Sequence, residues 1–168
     1  MEQTNTLPNP QSILGSSITE WHTLEDMSRG WPVVQHMYPS MERDTYLSRI
    51  EHALTHGMNY RQFAYIQSSS EDTKEEILGL LGLWLFPRVW CGLQGDIDNF
   101  VVSPSARSQG IGKQLLEHAI QTAKANGAEV ITLDTFVENP ESHRFYFREG
   151  FTIRGYHFIK PLNNQSIW

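Results

Sequence analysis

The segment from Asn99 to Ala119 constrains the fold more than any other part of the sequence. It reads NFVVSPSARSQGIGKQLLEHA: a β-branched run ending at Ser103-Pro104, a short loop with two glycines, and an amphipathic helix. A helix start leaves several backbone N–H groups unpaired and carries about half a positive charge from the helix dipole. Small residues let an anion approach that backbone, and Arg107 and Lys113 add positive charge. The segment predicts a strand, loop and helix suited to a pyrophosphate.

Three phosphate-binding interpretations of this loop compete, beside a structural one. A dinucleotide-binding fingerprint needs a third glycine where the chain has Leu115, and it belongs at the start of a fold rather than late in the chain. A Walker loop needs glycine where the chain has Arg107, and Ser or Thr where it has Gln114. Both patterns fail. A helix start whose glycines serve tight packing, without any ligand, stays open at this point.

The third interpretation is a family resemblance. Residues 107–112, RSQGIG, resemble the R/Q-x-x-G-x-G/A signature of the GNAT superfamily of acyl-CoA N-acyltransferases, and residues 101–104, VVSP, resemble the strand ending that precedes it. Ser108 replaces the common glycine and Gln109 a common basic residue. These departures bear on cofactor affinity and leave the loop itself intact.

A second motif supports the same resemblance. Residues 139–151, NPESHRFYFREGF, resemble the family pattern N-x-x-A-x-x-F/L-Y-x-x-x-G-F, with Ser142 in place of the common alanine. The two motifs occur in the expected order, with a helix and a strand between them. The resemblance covers residues 96–151, about a third of the chain.

The resemblance implies an N-acetyltransferase that moves an acetyl group directly from acetyl-CoA to a primary amine. The alternative is a non-catalytic acyl-CoA-binding sensor or interaction module of the same fold. By family position, the residues expected to contact the cofactor are Val101, Val102, Ser103, Arg107, Ser108, Gln109, Gly110, Ile111, Gly112, Lys113, Asn139, Ser142 and Tyr146. Tyr146 is also the expected general acid, because acyl transfer expels a thiolate whose free thiol has a pKa of about 8.5. A tyrosine packed between helix and sheet with a satisfied hydroxyl is the structural alternative.

The amine acceptor needs a partner too, because an alkyl ammonium with a pKa near 10 must lose a proton before it attacks. Asp96 and Asp98 are two residues apart on a predicted strand, so they share one face. They are candidates to bind the ammonium or to pass its proton to water, with a solvated strand end as the alternative. Four aromatic residues are candidates for an acceptor wall, or else core residues: Trp31, Tyr38, Trp84 and Trp90. Glu138, His143 and His157 are weaker candidates, and we interpret Cys91 as an incidental thiol.

The rest of the sequence predicts a mixed α/β fold. A short strand is predicted at 17–21. Three strands with short connections, predicted at 60–67, 77–86 and 96–102, indicate an antiparallel meander, with residues 87–96 as a loop. A broken helix is predicted at 23–36 and a helix at 41–56, capped by Ser40 and ended by Gly57. The second half predicts a β-α-β-α-β unit: the strand at 96–102, a helix at 110–126, a strand at 130–136, a short helix from Asn139 to Gly150, and a strand at 151–160. The resemblance implies that the fourth and fifth strands splay apart.

Composition bounds the partners. The chain has 168 residues, with 13 Lys and Arg against 19 Asp and Glu, and its net charge of -6 argues against nucleic acid or anionic membranes as partners. One cysteine excludes an internal disulfide, and the histidine spacing predicts no metal site. We expect a flexible tail at 1–14, a single domain at 15–168, and a cytoplasmic protein without a targeting or membrane segment. The expected partners are acetyl-CoA and an amine-bearing acceptor, and a homodimer stays open.

Overall fold

One mixed sheet of five strands organises the part of the protein that the structure describes. The structure, a computed structural model, describes residues 15–56, 59–68 and 75–162. In chain order its elements are β1 (Ser16–Trp21), α1 (Leu24–Ser28), α2 (Trp31–Val34), α3 (Arg43–Thr55), β2 (Tyr60–Ser68), β3 (Glu75–Arg88), β4 (Gly92–Val102), a 3₁₀ turn (Pro104–Ala106), α4 (Ile111–Ala125), β5 (Val130–Leu133) and α5 (Pro140–Arg148). The strands lie side by side in chain order, antiparallel from β1 to β4 and parallel between β4 and β5. The sheet confirms the predicted meander and crossover.

The two faces of the sheet bury separate cores. On one face α4 packs its apolar stripe, including Leu115 and Leu116, against side chains such as Phe63 and Leu81. On the other face α1 to α3 cover a second cluster that includes Met27 and Leu80. Alternation along the strands sends successive side chains to opposite faces, and this divides the apolar residues between the two clusters.

A bulge in β4 is the structural feature that opens the site. The pairing of β3 with β4 shifts register between Leu80 and Gly82. Opposite that shift β4 carries an extra residue at Asn99–Phe100, and Asn99 has a φ of 48°, in the left-handed region. A bulge bends its strand and increases the local twist. The bulge therefore changes the direction of β4 near its end.

The neighbouring strand does not follow this change. β5 pairs with β4 only from Gln94 opposite Val130 to Ile97 opposite Leu133, and β4 continues to Val102 without it. The two strands thus part immediately before the bulge. The splay implied by the family resemblance is confirmed.

Most predicted elements are confirmed, with corrections at their ends. Residues 87–96 are wrongly predicted as a loop, because β3 extends to Arg88 and β4 begins at Gly92, so backbone pairing continues up to a short turn. Ser40 is not the cap of α3, which begins at Arg43 with Glu42 at the N-cap position. The strand predicted at 130–136 ends at Leu133, where its pairing with β4 ends.

The strand predicted at 151–160 is the largest error. Within the described part of the chain, residues 151–162 belong to no strand, and all of them beyond Phe151 are exposed. A strand requires partners for its N–H and C=O groups, and none of the described strands pairs with this segment. The crossover unit therefore ends at α5 in the described structure.

Three predictions stay untested. The tail at 1–14 and the helix stop at Gly57 lie outside the described residues, and the single domain at 15–168 remains a prediction.

Among the helices that are described, none has the length and apolar character needed to cross a membrane.

Candidate active site

The start of α4 has the geometry of an anion-binding helix end. Gly110 precedes the helix with a φ of 82°, a conformation that L side chains rarely adopt. A Cβ on Gly110 would meet nothing within 4 Å, and one on Gly112 would lie 3.7 Å from Phe100 and from Phe145, an ordinary contact distance. Backbone conformation rather than tight packing thus requires the glycine at 110. The packing interpretation of these two glycines is not supported.

The backbone amides of this helix start are available to a ligand. Over the described chain, no side chain caps α4. Arg107 and Lys113 are exposed beside it, and neither takes part in an ion pair with another described residue. Ile111 is buried, so this residue can offer only its backbone to a ligand. Unpaired N–H groups and two cations form an arrangement that fits a diphosphate.

The loop before the helix is equally open. Ser108 has a φ of 63°, and both Ser108 and Gln109 are exposed. The Gln109 side-chain amide lies 3.4 Å from the carbonyl oxygen of Ser105, a weak contact within the loop. The loop thus places its polar atoms at the surface around the helix start.

Only part of the strand end faces the gap. The N–H of Ser103 donates to the carbonyl of Leu78 on β3, at 2.8 Å. Because backbone groups alternate in direction along an antiparallel strand, Val101 also points its N–H and C=O at β3, whereas Val102 points them away, toward the gap. Of the three residues predicted to offer backbone groups to the cofactor, Val102 is the one oriented to do so. Ser103 retains its hydroxyl, which lies 3.0 Å from that of Ser105.

Tyr146 on α5 lies across the gap from β4. Its ring centroid is 6.4 Å from that of Phe100, 5.3 Å from Phe145 and 5.8 Å from Phe151. Burial raises the pKa of Tyr146 to about 12, so the phenol is protonated at neutral pH. Throughout the described residues its hydroxyl has no hydrogen-bond partner. The alternative of a packed tyrosine with a satisfied hydroxyl is therefore not supported, and a free donor sits next to the gap.

Asn139 and Ser142 lie at the first turn of the same helix. The Asn139 Oδ1 accepts from the Ser142 backbone N–H at 3.1 Å, so the asparagine caps α5 as its sequence position predicts. Asn139 is exposed and Ser142 is half-buried. The cap fixes the start of the helix that carries Tyr146.

Asp98 lies next to the bulge on the face covered by α1 to α3. Its Oδ2 accepts from Trp84 Nε1 at 3.0 Å, and its Oδ1 accepts from the Asn99 backbone N–H at 2.8 Å. Both carboxylate oxygens are thus held in place while each keeps a lone pair for a further donor. A half-buried carboxylate with fixed orientation is suited to bind an ammonium group.

Tyrosines surround this carboxylate. The Tyr38 hydroxyl donates to Asn99 Oδ1 at 3.0 Å, and Asn99 Nδ2 lies 3.4 Å from the Tyr60 hydroxyl. Burial, followed by the negative charge of Asp98, raises the pKa of Tyr38 to about 12. The pKa of Tyr60 is also raised, by burial above all, and again Asp98 contributes. These phenols are neutral at physiological pH and form a polar, aromatic wall around one negative charge.

Asp96 shares the face of Asp98 but has other partners. It accepts a hydrogen bond from the Thr132 hydroxyl on β5, and that hydroxyl also accepts from the Gln94 side-chain amide at 2.8 Å. Burial raises the pKa of Asp96, and the Thr132 hydrogen bond opposes this rise in part. Asp96 therefore sits where β4 and β5 are still paired, and Asp98 is nearer to the point where they part.

The other predicted residues lie at different places in the structure, some beside Asp98 and some away from it. Of the aromatic residues predicted for the acceptor wall, Trp84 and Tyr38 lie beside Asp98, and Trp31 packs on Tyr46 with ring centroids 5.5 Å apart. Trp90 is 70% exposed in the turn between β3 and β4, so its predicted place in the wall is wrong. The weaker candidates lie elsewhere: Glu138 exposed in the loop before α5, His143 against the Phe136 carbonyl, His157 beside Asp134, and Cys91 buried.

Several residues of the site escape the sequence analysis. Asn99, Tyr60 and Phe100 contact the predicted residues, and no motif marks them. Gln62 is fully buried and donates to the Tyr46 hydroxyl at 3.2 Å, while its Oε1 has no partner among the described residues. A glutamine inside an apolar strand is the one sequence signal that could have drawn attention to this region.

A mixed sheet that parts at a bulge, with an uncapped helix start beside the gap, defines a class of protein suited to bind an extended anionic ligand between two strands. Residues 21–151, well over half of the chain, match the family described as Acetyltransferase (GNAT) family. The chain belongs to this family, and we assign it as an acyltransferase.

Two curated relatives agree with this assignment. The chain is 27% identical over 139 residues to the uncharacterized N-acetyltransferase YhdJ of Bacillus subtilis, a match that covers 82% of this chain and 93% of the relative. It is 38% identical over 88 residues to the aminoalkylphosphonate N-acetyltransferase of Salmonella typhimurium, covering 52% of this chain and 57% of that protein. The second match thus spans little more than half of the relative.

Solved structures share the fold. The aminoglycoside N-acetyltransferase AAC(6')-Iy, solved in complex with CoA, superimposes with a TM-score of 0.74 at 18% identity, covering 94% of this chain and 100% of that chain. The glucosamine-6-phosphate N-acetyltransferase of Arabidopsis thaliana gives a TM-score of 0.67 at 19% identity, covering 89% and 99%. At this level of identity the similarity shows the fold and leaves the acceptor open.

Proposed function

We propose that the protein transfers an acetyl group from acetyl-CoA to a primary amine by direct attack in a ternary complex. The observation that carries the proposal is the arrangement around the gap between β4 and β5. An uncapped helix start lies at one end of it, a free phenol on α5 lines it, and a fixed carboxylate lies next to the bulge. The AAC(6')-Iy structure that shares this fold contains CoA, which supports an acyl-CoA donor.

The donor would be held by the strand end and the glycine loop. The N–H groups of the first turn of α4, with Arg107 and Lys113, would bind the diphosphate, and Ser108 and Gln109 would line its path. The backbone of Val102 would pair with the extended arm of the donor, because it points into the gap. Asn139 and Ser142, at the start of α5, would border the same arm. Bound acetyl-CoA supplies an activated thioester.

The acceptor would enter beside Asp98. The carboxylate would bind the ammonium form of the amine among neutral phenols, where a cation is favoured by charge and by the aromatic rings. The ammonium proton then passes to water, with Asp98 orienting the nitrogen and Asp96 adding negative potential behind it. The neutral nitrogen attacks the thioester carbonyl.

Tyr146 would act on the departing sulfur. One N–C bond forms and one C–S bond breaks, leaving a thiolate and a protonated amide nitrogen that loses its proton to solvent. A phenol whose pKa is about 12 is a weaker acid than a free thiol, so its main contribution is a hydrogen bond to the thiolate, which solvent then protonates. The backbone N–H of Val102 is the candidate donor to the carbonyl oxygen as negative charge develops on it.

A thiol-release assay tests the proposal over a panel of amines that includes aminoalkylphosphonates, aminoglycosides, polyamines and peptides. We expect release of free CoA with at least one amine class. Tyr146→Phe should lower kcat by about 10²-fold or more with little change in acetyl-CoA affinity, and Asp98→Asn should lower kcat/KM for the amine by a similar factor.

Matched variants separate chemistry from stability. Tyr65→Phe alters a buried tyrosine of the α4 core, and Asp44→Asn alters an exposed carboxylate of α3, so both should keep turnover close to that of the unmodified protein. Acetyl-CoA binding without turnover on any amine would favour the non-catalytic sensor of the same fold. Unchanged turnover in Tyr146→Phe would remove its role at the sulfur.

The proposal also places the protein in the cytoplasm, as the sequence predicts. Cell fractionation with an antibody against the chain tests this placement. Recovery in a secreted or membrane fraction would contradict it.

A further inference from the structure

Gly82 lies in the interior of β3, where a glycine weakens a strand and often marks the close approach of another group. It is paired with Gln62 on β2 and with Asp98 on β4, so these three residues form one row across the sheet. A Cβ at this position would lie 2.6 Å from the Tyr60 hydroxyl, 2.9 Å from Tyr60 Cε2 and 3.0 Å from the carbonyl oxygen of Asp98. The missing side chain of Gly82 therefore makes room for Tyr60 next to Asp98.

Tyr60 contacts both of the groups that orient the Asp98 carboxylate. Its ring centroid is 4.5 Å from that of Trp84, whose Nε1 donates to Asp98 Oδ2. Its hydroxyl lies 3.4 Å from Asn99 Nδ2, and the backbone N–H of Asn99 donates to Asp98 Oδ1. Tyr60 is only 6% exposed, so these contacts are shielded from water. One buried side chain thus supports the donors to both carboxylate oxygens.

The contact between Tyr60 and Asn99 bears on the backbone as well as on the side chain. Asn99 has a φ of 48°, a left-handed conformation that costs free energy in a residue other than glycine. Tyrosines lie at both ends of its side-chain amide, because the Tyr38 hydroxyl donates to Oδ1 at 3.0 Å and the Tyr60 hydroxyl lies beside Nδ2. Together they hold the residue whose N–H donates to Asp98.

The phenol at this position is polar without adding a charge. Burial raises the pKa of Tyr60, the hydrogen bond from Asn99 opposes this rise in part, and the negative charge of Asp98 adds to it. The hydroxyl is therefore neutral at physiological pH. A phenylalanine would provide the same ring against Trp84 but nothing to contact Asn99, so the hydroxyl is the part of Tyr60 that core packing does not explain.

We propose that Tyr60, in the space left by Gly82, is a positioning residue for the amine acceptor, because it fixes Trp84 and Asn99 and through them the direction of the Asp98 carboxylate. The inference rests on the proposed function, in which Asp98 binds the ammonium group. In this role Tyr60 acts through its two neighbours and needs no contact with the amine or the thioester. Loss of its hydroxyl should weaken amine binding and leave the donor site unchanged.

A spectroscopic test uses the protein without any ligand. The indole N–H of Trp84 gives one resonance in a ¹H–¹⁵N correlation spectrum, which Trp84→Phe identifies by its loss and which reports the hydrogen bond to Asp98. Tyr60→Phe keeps the ring and removes the hydroxyl, and it should move this resonance toward its position in Asp98→Asn. The matched control is Tyr65→Phe, on the same strand but in the α4 core, which should leave the resonance in place. An unchanged resonance in Tyr60→Phe would overturn the proposal.

Steady-state kinetics with an amine from the thiol-release panel give the second test. Tyr60→Phe should raise KM for the amine by about five- to tenfold, the loss expected for one buried hydrogen bond. The values of kcat and of KM for acetyl-CoA should stay within about twofold of those of the unmodified chain, because only ground-state binding of the amine is lost. A parallel rise in both KM values would indicate general disorder and contradict a positioning role. If no amine is turned over, the proposed function fails, and the Trp84 resonance alone decides the role of Tyr60.

A double-variant cycle tests the part played by Gly82. Gly82→Ala should raise KM for the amine, because its Cβ would displace the Tyr60 hydroxyl. In the Tyr60→Phe background the same substitution should have a smaller effect, since that hydroxyl is gone. Additive effects would show that Gly82 does not act through Tyr60.

Asn99→Gly keeps the test decisive if Gly82→Ala does not fold, as judged by circular dichroism. Glycine accepts the φ of 48° but removes the side-chain amide that Tyr60 contacts. Tyr60→Phe should then have no further effect on KM for the amine. A full additional rise in the Asn99→Gly background would contradict the proposed route from Tyr60 through Asn99 to Asp98.

Discussion

The antiparallel part of the sheet and its parallel end differ in how completely they are buried. Five consecutive residues of β2, from Gln62 to Ile66, are buried, and the centre of β3 is buried in the same way. All four residues of β5 are half-buried, and α5 has no buried residue. The first region is covered by helices on both faces, whereas in the described part of the chain no strand pairs with the outer edge of the second.

The two regions contribute different residues to the candidate site. The antiparallel part fixes Asp98 through two part-buried hydrogen bonds, one from Trp84 on the neighbouring strand and one from the backbone N–H of Asn99 on its own strand. The parallel end supplies Tyr146, whose ring packs against other aromatic rings and whose hydroxyl has no hydrogen-bond partner among the described residues. The carboxylate on the acceptor side is therefore oriented by hydrogen bonds, while the phenol on the other side is positioned by contacts between rings.

The largest expected effect tests this contrast directly through stability. Leu81→Ala removes a fully buried side chain between β3 and the α4 core and should lower the free energy of unfolding by about 2–5 kcal/mol. Leu133→Ala removes a half-buried side chain of β5 and should cost about 1 kcal/mol, because less apolar area is lost. Urea unfolding followed by circular dichroism measures both. Equal losses would show that the parallel end is packed as tightly as the rest.

A smaller effect separates the two glycines of the loop between these regions. Gly110→Ala should lower stability by about 1–2 kcal/mol, because its φ of 82° places an L residue in the left-handed region. Gly112→Ala should keep or raise stability by up to about 1 kcal/mol, since alanine favours the helix and its Cβ fits between Phe100 and Phe145.

We expect Gly112→Ala, the more stable of the two glycine variants, to bind acetyl-CoA less well than the unmodified chain. The methyl group of Gly112→Ala stands next to the amides of the first turn, so the rise in Tm with acetyl-CoA should shrink even though the protein is stable. The unmodified chain at the same acetyl-CoA concentration is the reference. A full shift in Gly112→Ala would argue that the diphosphate binds elsewhere.

Much of the parallel end could be predicted because its signals are local. The apolar repeat of α4, the glycine at its start and the Asn139 cap of α5 each depend on a few neighbouring residues. The same local signals predicted the loop geometry and placed Tyr146 on a helix. They could not show that the N–H of Ser103 donates to the carbonyl of Leu78 on β3, because that hydrogen bond joins residues far apart in the chain.

The contacts of Asp98 were beyond sequence reasoning for a related reason. The bulge at Asn99 exists only relative to the register of β3, and a register between distant strands leaves no periodic pattern. The prediction of a strand at 151–160 is wrong for a different reason. Its residues do have strand character, but composition cannot say which edge a strand will join.

The smallest expected effect concerns the pH dependence of stability, which should distinguish the two regions only at alkaline pH. Folding raises the pKa of Tyr38 and of Tyr146 from 10.0 to about 12, so the folded state binds these protons more tightly than the unfolded state does. Their contribution to stability is complete below about pH 10 and is lost as the pH rises toward 12. Burial is the main cause for both residues, but only for Tyr38 does the Asp98 carboxylate add to it.

Asp98→Asn should therefore act on one region alone. Removing the negative charge lowers the pKa of Tyr38 toward 10 and leaves that of Tyr146 near 12, so the loss of stability between pH 10 and 12 should become shallower. Urea unfolding at several alkaline pH values, with phenolate absorbance recorded in parallel, measures this slope. Tyr146→Phe provides the comparison, because it should make the slope shallower by its own share in either background. The two regions have separate contacts, so the changes in slope caused by Asp98→Asn and Tyr146→Phe should add in the double variant. A double variant whose change is smaller than that sum would show that the two regions are electrostatically coupled.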